Sequence, residues 1–146
     1  MPLAERRAEA TWEGNLAKGG GRVKAGSGAI PEIPVSWASR VERSDGKTSP
    51  EELVAMAHAS CYAMAFSHTL SEAGHVPERV HVTANCQLES VPGGIKVATI
   101  NLTVTGKVPG VDQAKFEELA RKGEQGCPIS NALRGNVTIN VKATLE

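Results

Sequence analysis

Two cysteines, Cys61 and Cys127, are the residues of this sequence whose type and setting best suit chemistry. Cys61 lies in the middle of a strongly apolar segment, Ser49 to Gly74, which predicts a long helix. Cys127 lies far along the chain in a Gly-Cys-Pro sequence, which predicts the start of a helix. A thiolate is a nucleophile, and a second thiol can convert the oxidised form of the first into a disulfide. The pair therefore indicates a two-cysteine redox catalyst.

Each cysteine also has an inert interpretation. Cys61 could be a small core residue, because a thiol buried in apolar surroundings has a raised pKa and does not react. Cys127 could act only as a helix cap, although the free N–H groups of a helix start favour a thiolate. Cys86 lies on the apolar face of an alternating strand, which favours an inert core role.

The histidines give no metal-binding pattern. His58 precedes Cys61 by three residues on a helix, so it is either a base for the thiol or, as we favour, a structural residue. His68 is about two helical turns from Cys61, too far to share a metal ion with it. No Cys-x-x-Cys or His-Glu-x-x-His occurs, and the glycines of residues 19–28 lack the phosphate-loop spacing. We therefore predict no metal and no cofactor.

The surrounding pattern predicts the elements that position the cysteines. Ser49 can cap the long helix, Pro50 suits its first position and Glu52 completes a capping box. The helix is apolar on nearly every side until Ser67, so we expect it in a core or a subunit interface. Three strands precede it, the third at residues 33–43, and two alternating strands follow. A helix starting at Asp112, a short helix from Cys127 to Leu133 and a last strand complete the order.

The expected fold is therefore α+β, with an antiparallel sheet and a long central helix, in a single domain of residues 1–146. With 16 basic and 16 acidic residues the formal net charge is zero, and aromatic residues make up 3%. A neutral, aromatic-poor chain argues against nucleic acid. The N-terminus has no apolar core of signal-peptide length, and the longest apolar run, around residues 55–66, is too short to span a membrane, so we expect a cytoplasmic protein. In a cytoplasmic protein with an odd number of cysteines, any disulfide is expected to be transient and catalytic instead of structural.

Three segments of the chain are similar to a known family. They are Ser49-Pro50-Glu51-Glu52-Leu53, the stretch from Ala57 to Ala65 around Cys61, and the stretch from Gly126 to Leu133 around Cys127. These segments resemble the OsmC/Ohr family of hydroperoxide-reducing proteins. Trp12-Glu13-Gly14 and Ser39-Arg40-Val41-Glu42 resemble the OsmC branch (osmotically inducible protein C) more than the Ohr branch. The resemblance covers almost the whole chain.

The resemblance implies a cysteine-dependent peroxidase acting on organic hydroperoxides, built as an intertwined homodimer with its active sites at the subunit interface. By matching position, Cys61 is the peroxidatic cysteine and Cys127 the resolving one. Arg40 matches the arginine that holds the thiolate, and Glu51 matches the carboxylate that orients this arginine. Arg22 and Arg43 stay open as alternatives to Arg40. The family suggests an external dithiol of the lipoyl type as reductant. Met56, Met64 and Phe66 are expected to form an apolar wall for the substrate.

The spacing of Glu51 and Cys61 bears on how such a site is assembled. Ten residues of straight helix span about 15 Å, so one arginine could not easily touch both in the same chain. We therefore expect the Glu51 and Arg40 that serve one Cys61 to come from the partner subunit, or two chains to build each site. Glu51 could also do no more than compensate the helix dipole.

Two other functions are compatible with the sequence. One is a non-catalytic, stress-induced binding protein in which the cysteines are core residues. The other is a thiol redox sensor, which would need a partner or a DNA-binding element. The neutral charge and the lack of a helix-turn-helix pattern argue against DNA.

Overall fold

The computed structural model describes residues 1–146 and divides into two compact units, Met1–Leu53 and Val54–Glu146. The strands are β1 (Ala8–Glu13), β2 (Gly20–Ala25), β3 (Ile33–Val35), β4 (Arg79–Val91), β5 (Gly94–Lys107) and β6 (Thr138–Leu145). The helices are α1 (Trp37–Val41), α2 (Pro50–Glu72), α3 (Gln113–Gln125) and α4 (Pro128–Leu133). The α+β class expected from the sequence is confirmed.

The first unit contains an antiparallel sheet with the strand order β1-β2-β3. The expectation that residues 33–43 form one strand is wrong, because the strand ends at Val35 and α1 follows. Ser36 caps this helix: its hydroxyl accepts from the Ser39 N–H at 3.0 Å, and the Ser39 hydroxyl accepts from the Ser36 N–H at 2.9 Å. This reciprocal cap satisfies the helix start locally and overrides the weak alternation of apolar residues.

Helix α2 begins and ends close to the predicted bounds. The Ser49 hydroxyl accepts from the Glu52 N–H at 3.1 Å, as expected of a capping residue. The second half of the predicted capping box is absent, since the Glu52 carboxylate instead accepts from the Thr48 hydroxyl at 2.7 Å. The helix start is therefore fixed by Thr48 as well as by Ser49.

The second unit contains a mixed sheet with the strand order β4-β5-β6. Strands β4 and β5 form the predicted antiparallel hairpin, with Arg79 opposite Lys107 and Val91 opposite Gly94. The expectation of an antiparallel sheet is wrong at β6, which pairs with β5 in parallel from Thr99↔Thr138 to Gly106↔Leu145. Helices α3 and α4 make the crossover that a parallel pair requires. Alternation along a strand does not specify its direction.

The core of the second unit lies between this sheet, α3 and one stripe of α2. Tyr62, Phe66 and Leu70, spaced four residues apart on α2, are fully buried. The Phe66 ring lies 5.0 Å from that of Phe116 on α3. Gly123 allows this close approach, because a Cβ at that position would lie 3.0 Å from the Cα of Phe66.

The rest of α2 is not covered within the chain. Met56 and Met64 are 52% and 68% exposed. A single chain therefore does not bury α2 on nearly every side. None of the helices combines the length and apolar character that crossing a bilayer requires.

Candidate active site

Cys61 lies half-buried on α2, packed against the core of the second unit. Burial raises the pKa of its thiol, and the neighbouring Cys127 side chain raises it further. A hydrogen bond from the Ile129 N–H, in the first turn of α4, acts in the opposite direction and lowers this pKa. The net direction is upward. With the groups that act on it here, the Cys61 thiol is a weak nucleophile at neutral pH.

Cys127 is the capping residue at the start of α4, as the Gly-Cys-Pro sequence predicted. Its backbone is extended, Pro128 occupies the first helical position, and the thiol is fully buried. The Ser130 N–H donates to the Cys127 Sγ over 3.5 Å. The side chains of Cys61 and Cys127 also interact, and this interaction raises the pKa of the Cys61 thiol. The fold therefore brings together two thiols that are far apart in the sequence.

The segment around Cys127 is stabilised by an ion pair that sequence reasoning missed. The Arg134 guanidinium, just after α4, donates to a Glu124 carboxylate oxygen at 2.5 Å and to the Glu124 carbonyl at 3.3 Å. The Glu124 side chain is only 8% exposed. The Cys127 N–H donates to the same carbonyl at 3.2 Å. No sequence signal marks this pair, because the turn between α3 and α4 alone makes the two residues neighbours.

His58 is fully buried and lies 2.6 Å, through Nε2, from the Ser130 hydroxyl. Burial lowers its pKa, and the negative charge of Glu124 opposes that effect only in part. The ring is therefore neutral near pH 7. These contacts favour the interpretation of His58 as a structural residue. His68, on the same helix, is exposed.

Arg40 and Glu51, both in the first unit, form a bidentate ion pair. Arg40 Nε lies 2.9 and 3.2 Å from the two carboxylate oxygens, and Nη2 lies 2.8 Å from one of them. The Glu51 side chain is 9% exposed and the Arg40 side chain 29%, so the carboxylate of this charge-assisted pair is largely shielded from water while the guanidinium is partly exposed. The guanidinium also lies 5.9 Å from the Trp37 ring centroid. Glu51 therefore does more than compensate the helix dipole.

The two alternative arginines have other surroundings. Arg22 is exposed and pairs with Glu13 at 2.9 Å and Glu32 at 2.7 Å, and the Glu13 interaction is the main cause of its raised pKa. Arg43 is exposed and lies two residues after the end of α1. Of the three arginines, Arg40 is the one that contacts Glu51.

A pocket of about 200 Å³ opens beside Arg40 in the first unit. Its lining is mostly apolar: Trp12, Leu16, Val35, Ser36, Trp37, Arg40 and Pro50. The expected substrate wall of Met56, Met64 and Phe66 is wrong for Phe66, whose side chain is fully buried in the core of the second unit. No group of three or more histidine, cysteine or acidic side chains is arranged to hold a metal ion.

Comparison with known proteins defines the family. A family model described as OsmC-like protein matches residues 43–142. Peroxiredoxin OsmC of Escherichia coli (strain K12) is 36% identical over 135 residues, covering 92% of this chain and 94% of that protein. An organic hydroperoxide resistance protein of Xanthomonas axonopodis pv. citri (strain 306) is 32% identical over 95 residues, covering 64% and 65%. The chain therefore belongs to the OsmC-like protein family.

The fold agrees with that membership. The crystal structure of an organic hydroperoxide resistance protein OsmC from Legionella pneumophila is similar, with a TM-score of 0.78 and 26% sequence identity. The match covers 99% of each chain.

Proposed function

We propose that this protein is a cysteine-dependent peroxidase that reduces organic hydroperoxides to alcohols. The observation that carries the proposal is the contact between the thiols of Cys61 and Cys127 within one chain. Membership of a family whose curated relatives are named peroxiredoxin OsmC and organic hydroperoxide resistance protein supports the choice of substrate.

The reaction has three balanced steps. The Cys61 thiolate attacks one peroxide oxygen; the O–O bond breaks, the alkoxide takes up a proton to leave as an alcohol, and Cys61 becomes a sulfenic acid. The Cys127 thiol then condenses with the sulfenic acid, which releases water and forms a disulfide. An external dithiol, of the lipoyl type in our proposal, reopens the disulfide by exchange and is itself oxidised to a disulfide.

Arg40 is proposed to activate Cys61. Burial and Cys127 raise the pKa of the Cys61 thiol, so a catalyst working at neutral pH needs a positive charge beside it. Arg40 is permanently charged, and Glu51 holds its Nε and Nη2, which orients the guanidinium. In our proposal the Arg40 and Glu51 that serve one Cys61 belong to the partner subunit.

The homodimer that this arrangement needs is supported by the apolar surface of α2. Met56 and Met64 are largely exposed, and an exposed apolar helix face is typical of a protein–protein interface. The pocket beside Arg40, with its two tryptophans, suits the alkyl or aryl group of an organic hydroperoxide better than hydrogen peroxide.

Turnover and thiol counting test the function. With dihydrolipoamide as reductant, we expect steady-state reduction of cumene hydroperoxide to exceed that of hydrogen peroxide in kcat/KM by roughly tenfold or more. Without reductant, cumene hydroperoxide should remove two thiols per chain and join Cys61 to Cys127, while Cys86 remains a thiol. Unchanged thiols after excess hydroperoxide would contradict the peroxidase and favour a binding protein.

Replacing Arg40 with alanine should raise the pKa of Cys61 and slow the reaction at neutral pH. Loss of a nearby opposite charge predicts a fall of roughly tenfold to a thousandfold, recovered in part at higher pH because the thiolate fraction then increases. The measurement is the pH profile of single-turnover oxidation. Arg43→Ala is the matched control, since it removes an exposed arginine of the same segment. If Cys61 in Arg40→Ala titrates as in the parent, Arg40 does not have this role.

A further inference from the structure

Two contacts fasten the first turn of α4 to α2, and they lie side by side. At the first, the Ile129 N–H interacts with the Cys61 thiol and lowers its pKa. At the second, Ser130 Oγ lies 2.6 Å from His58 Nε2. Cys61 and His58 are three residues apart on α2, on neighbouring parts of its surface, and Ile129 and Ser130 are consecutive on α4. The His58–Ser130 bond therefore holds the turn of α4 that faces Cys61.

Ser130 connects this bond to the second thiol. Its backbone N–H donates to the Cys127 Sγ over 3.5 Å, and both Ser130 and Cys127 are fully buried. A displacement of Ser130 would therefore move a donor away from the Cys127 sulfur, and would shift the neighbouring Ile129 N–H that contacts Cys61. One anchored turn thus controls the relative position of both sulfurs.

The hydrogen bonding of His58 is confined to this anchor. Its Nδ1 is buried and has no hydrogen-bond partner, so Ser130 is the group to which the ring is held. A fully buried imidazole with one vacant nitrogen is costly to maintain. The ring does not touch solvent, which removes it from direct contact with an incoming hydroperoxide.

We propose that His58 is a positioning residue for resolution: its bond to Ser130 holds Cys127 where it captures the Cys61 sulfenic acid before a second hydroperoxide does. This proposal rests on the proposed peroxidase function. In the competing reaction, a second hydroperoxide oxidises the sulfenic acid to a sulfinic acid and is itself reduced to an alcohol. The position of Cys127 decides whether the disulfide or the sulfinic acid forms, since small displacements of reacting atoms have large effects on rate.

Substitutions at His58 separate this role from general packing. In His58→Ala, disulfide formation after a single pulse of cumene hydroperoxide should slow by roughly tenfold to a hundredfold. The fraction of Cys61 recovered as sulfinic acid, measured by mass spectrometry of the Cys61 peptide, should rise in parallel. His58→Gln, whose amide nitrogen reaches the position of Nε2, should restore much of the rate. His58→Asn, whose amide imitates the unbonded Nδ1, should not.

Controls keep the result interpretable. His68→Ala removes an exposed histidine from the same helix and should behave as the parent. Ser130→Ala deletes the other partner of the bond and should reproduce His58→Ala, so the test survives if one variant fails to fold. Thermal unfolding followed by circular dichroism identifies the folded variants. Parent-like disulfide formation in folded His58→Ala and Ser130→Ala would overturn the positioning role.

A second oxidant distinguishes this proposal from the peroxidase function itself. Diamide adds to the Cys61 thiolate, and Cys127 then displaces the reduced diamide to form the same disulfide without any peroxide. If the parent forms the disulfide with diamide but not with cumene hydroperoxide, the peroxidase function is wrong. The positioning role is still decided, because His58→Ala must then show the same slow disulfide formation with diamide. Equal rates in parent and variant with diamide would overturn it.

Discussion

Replacing Cys61 with serine should abolish reduction of organic hydroperoxides. A serine hydroxyl at this half-buried position stays protonated at neutral pH and cannot replace the thiolate as a nucleophile toward the peroxide oxygen. The substitution exchanges one small side chain for another in a region anchored by Tyr62 and Phe66, so we expect the variant to fold. Activity should fall to the rate measured without protein, both in steady state and in a single turnover.

The matched control for this variant is Cys86→Ser. Cys86 lies half-buried on β4, where it packs against the core of the second unit. The same exchange of sulfur for oxygen there should retain the turnover of the parent. Substantial turnover in Cys61→Ser, or loss of turnover only in Cys86→Ser, would assign the reaction to a different thiol. Full protective function of Cys61→Ser in cells exposed to cumene hydroperoxide would favour the non-catalytic binding protein.

The start of α2 and the start of α4 could be predicted from the sequence because both depend on local chemistry. A serine before a proline and two glutamates defines one, and a cysteine before a proline defines the other. Each signal operates within a few residues, so tertiary packing has little opportunity to override it. Cys127 was placed correctly at a helix start for this reason.

Two predictions about the fold are wrong because the features they concern depend on competing local interactions or on the pairing of segments that are distant in the sequence. Residues 33–43 have some strand alternation, but the reciprocal Ser36–Ser39 cap stabilises a helix in the second half of the segment. The direction of β6 follows from the crossover through α3 and α4, and alternation along β6 is the same for either direction. Neither the cap geometry nor the crossover is encoded in the period of apolar residues.

The candidate site shows the same division. Residue type and setting nominated Cys61 and Cys127, and the family resemblance nominated Arg40 and Glu51. The structure joins these four residues as two pairs, one in each unit. The buried groups around Cys127 could not be nominated in the same way. Glu124, Arg134 and Ser130 become important only because α3 and α4 meet at a tight turn against α2. Their partners are chosen by tertiary structure, and a polar residue in a helical segment gives no sign of that choice.

Replacing Cys127 with serine should separate the first chemical step from turnover. The Cys61 thiolate still attacks the hydroperoxide, so one equivalent should be reduced at a rate within about a few-fold of the parent. Without a thiol at residue 127 no disulfide forms between the two positions. Further hydroperoxide then converts Cys61 to the sulfinic acid, and steady-state turnover is lost unless the added dithiol reduces the sulfenic acid directly.

Rapid-quench measurement of alcohol formation, paired with mass spectrometry of Cys61, checks this prediction. A burst of one equivalent followed by a stop, with sulfinic acid at Cys61, is the expected result. The burst should survive because the Ser130 N–H, which donates to the Cys127 sulfur in the parent, is expected to donate to a serine hydroxyl at that position and keep the start of α4 in place. Complete loss of the burst would mean that Cys127 itself is the attacking thiol. Continued turnover at the parent rate would mean that Cys61 is recycled without a resolving cysteine, and that the contact between the two sulfurs has no part in catalysis.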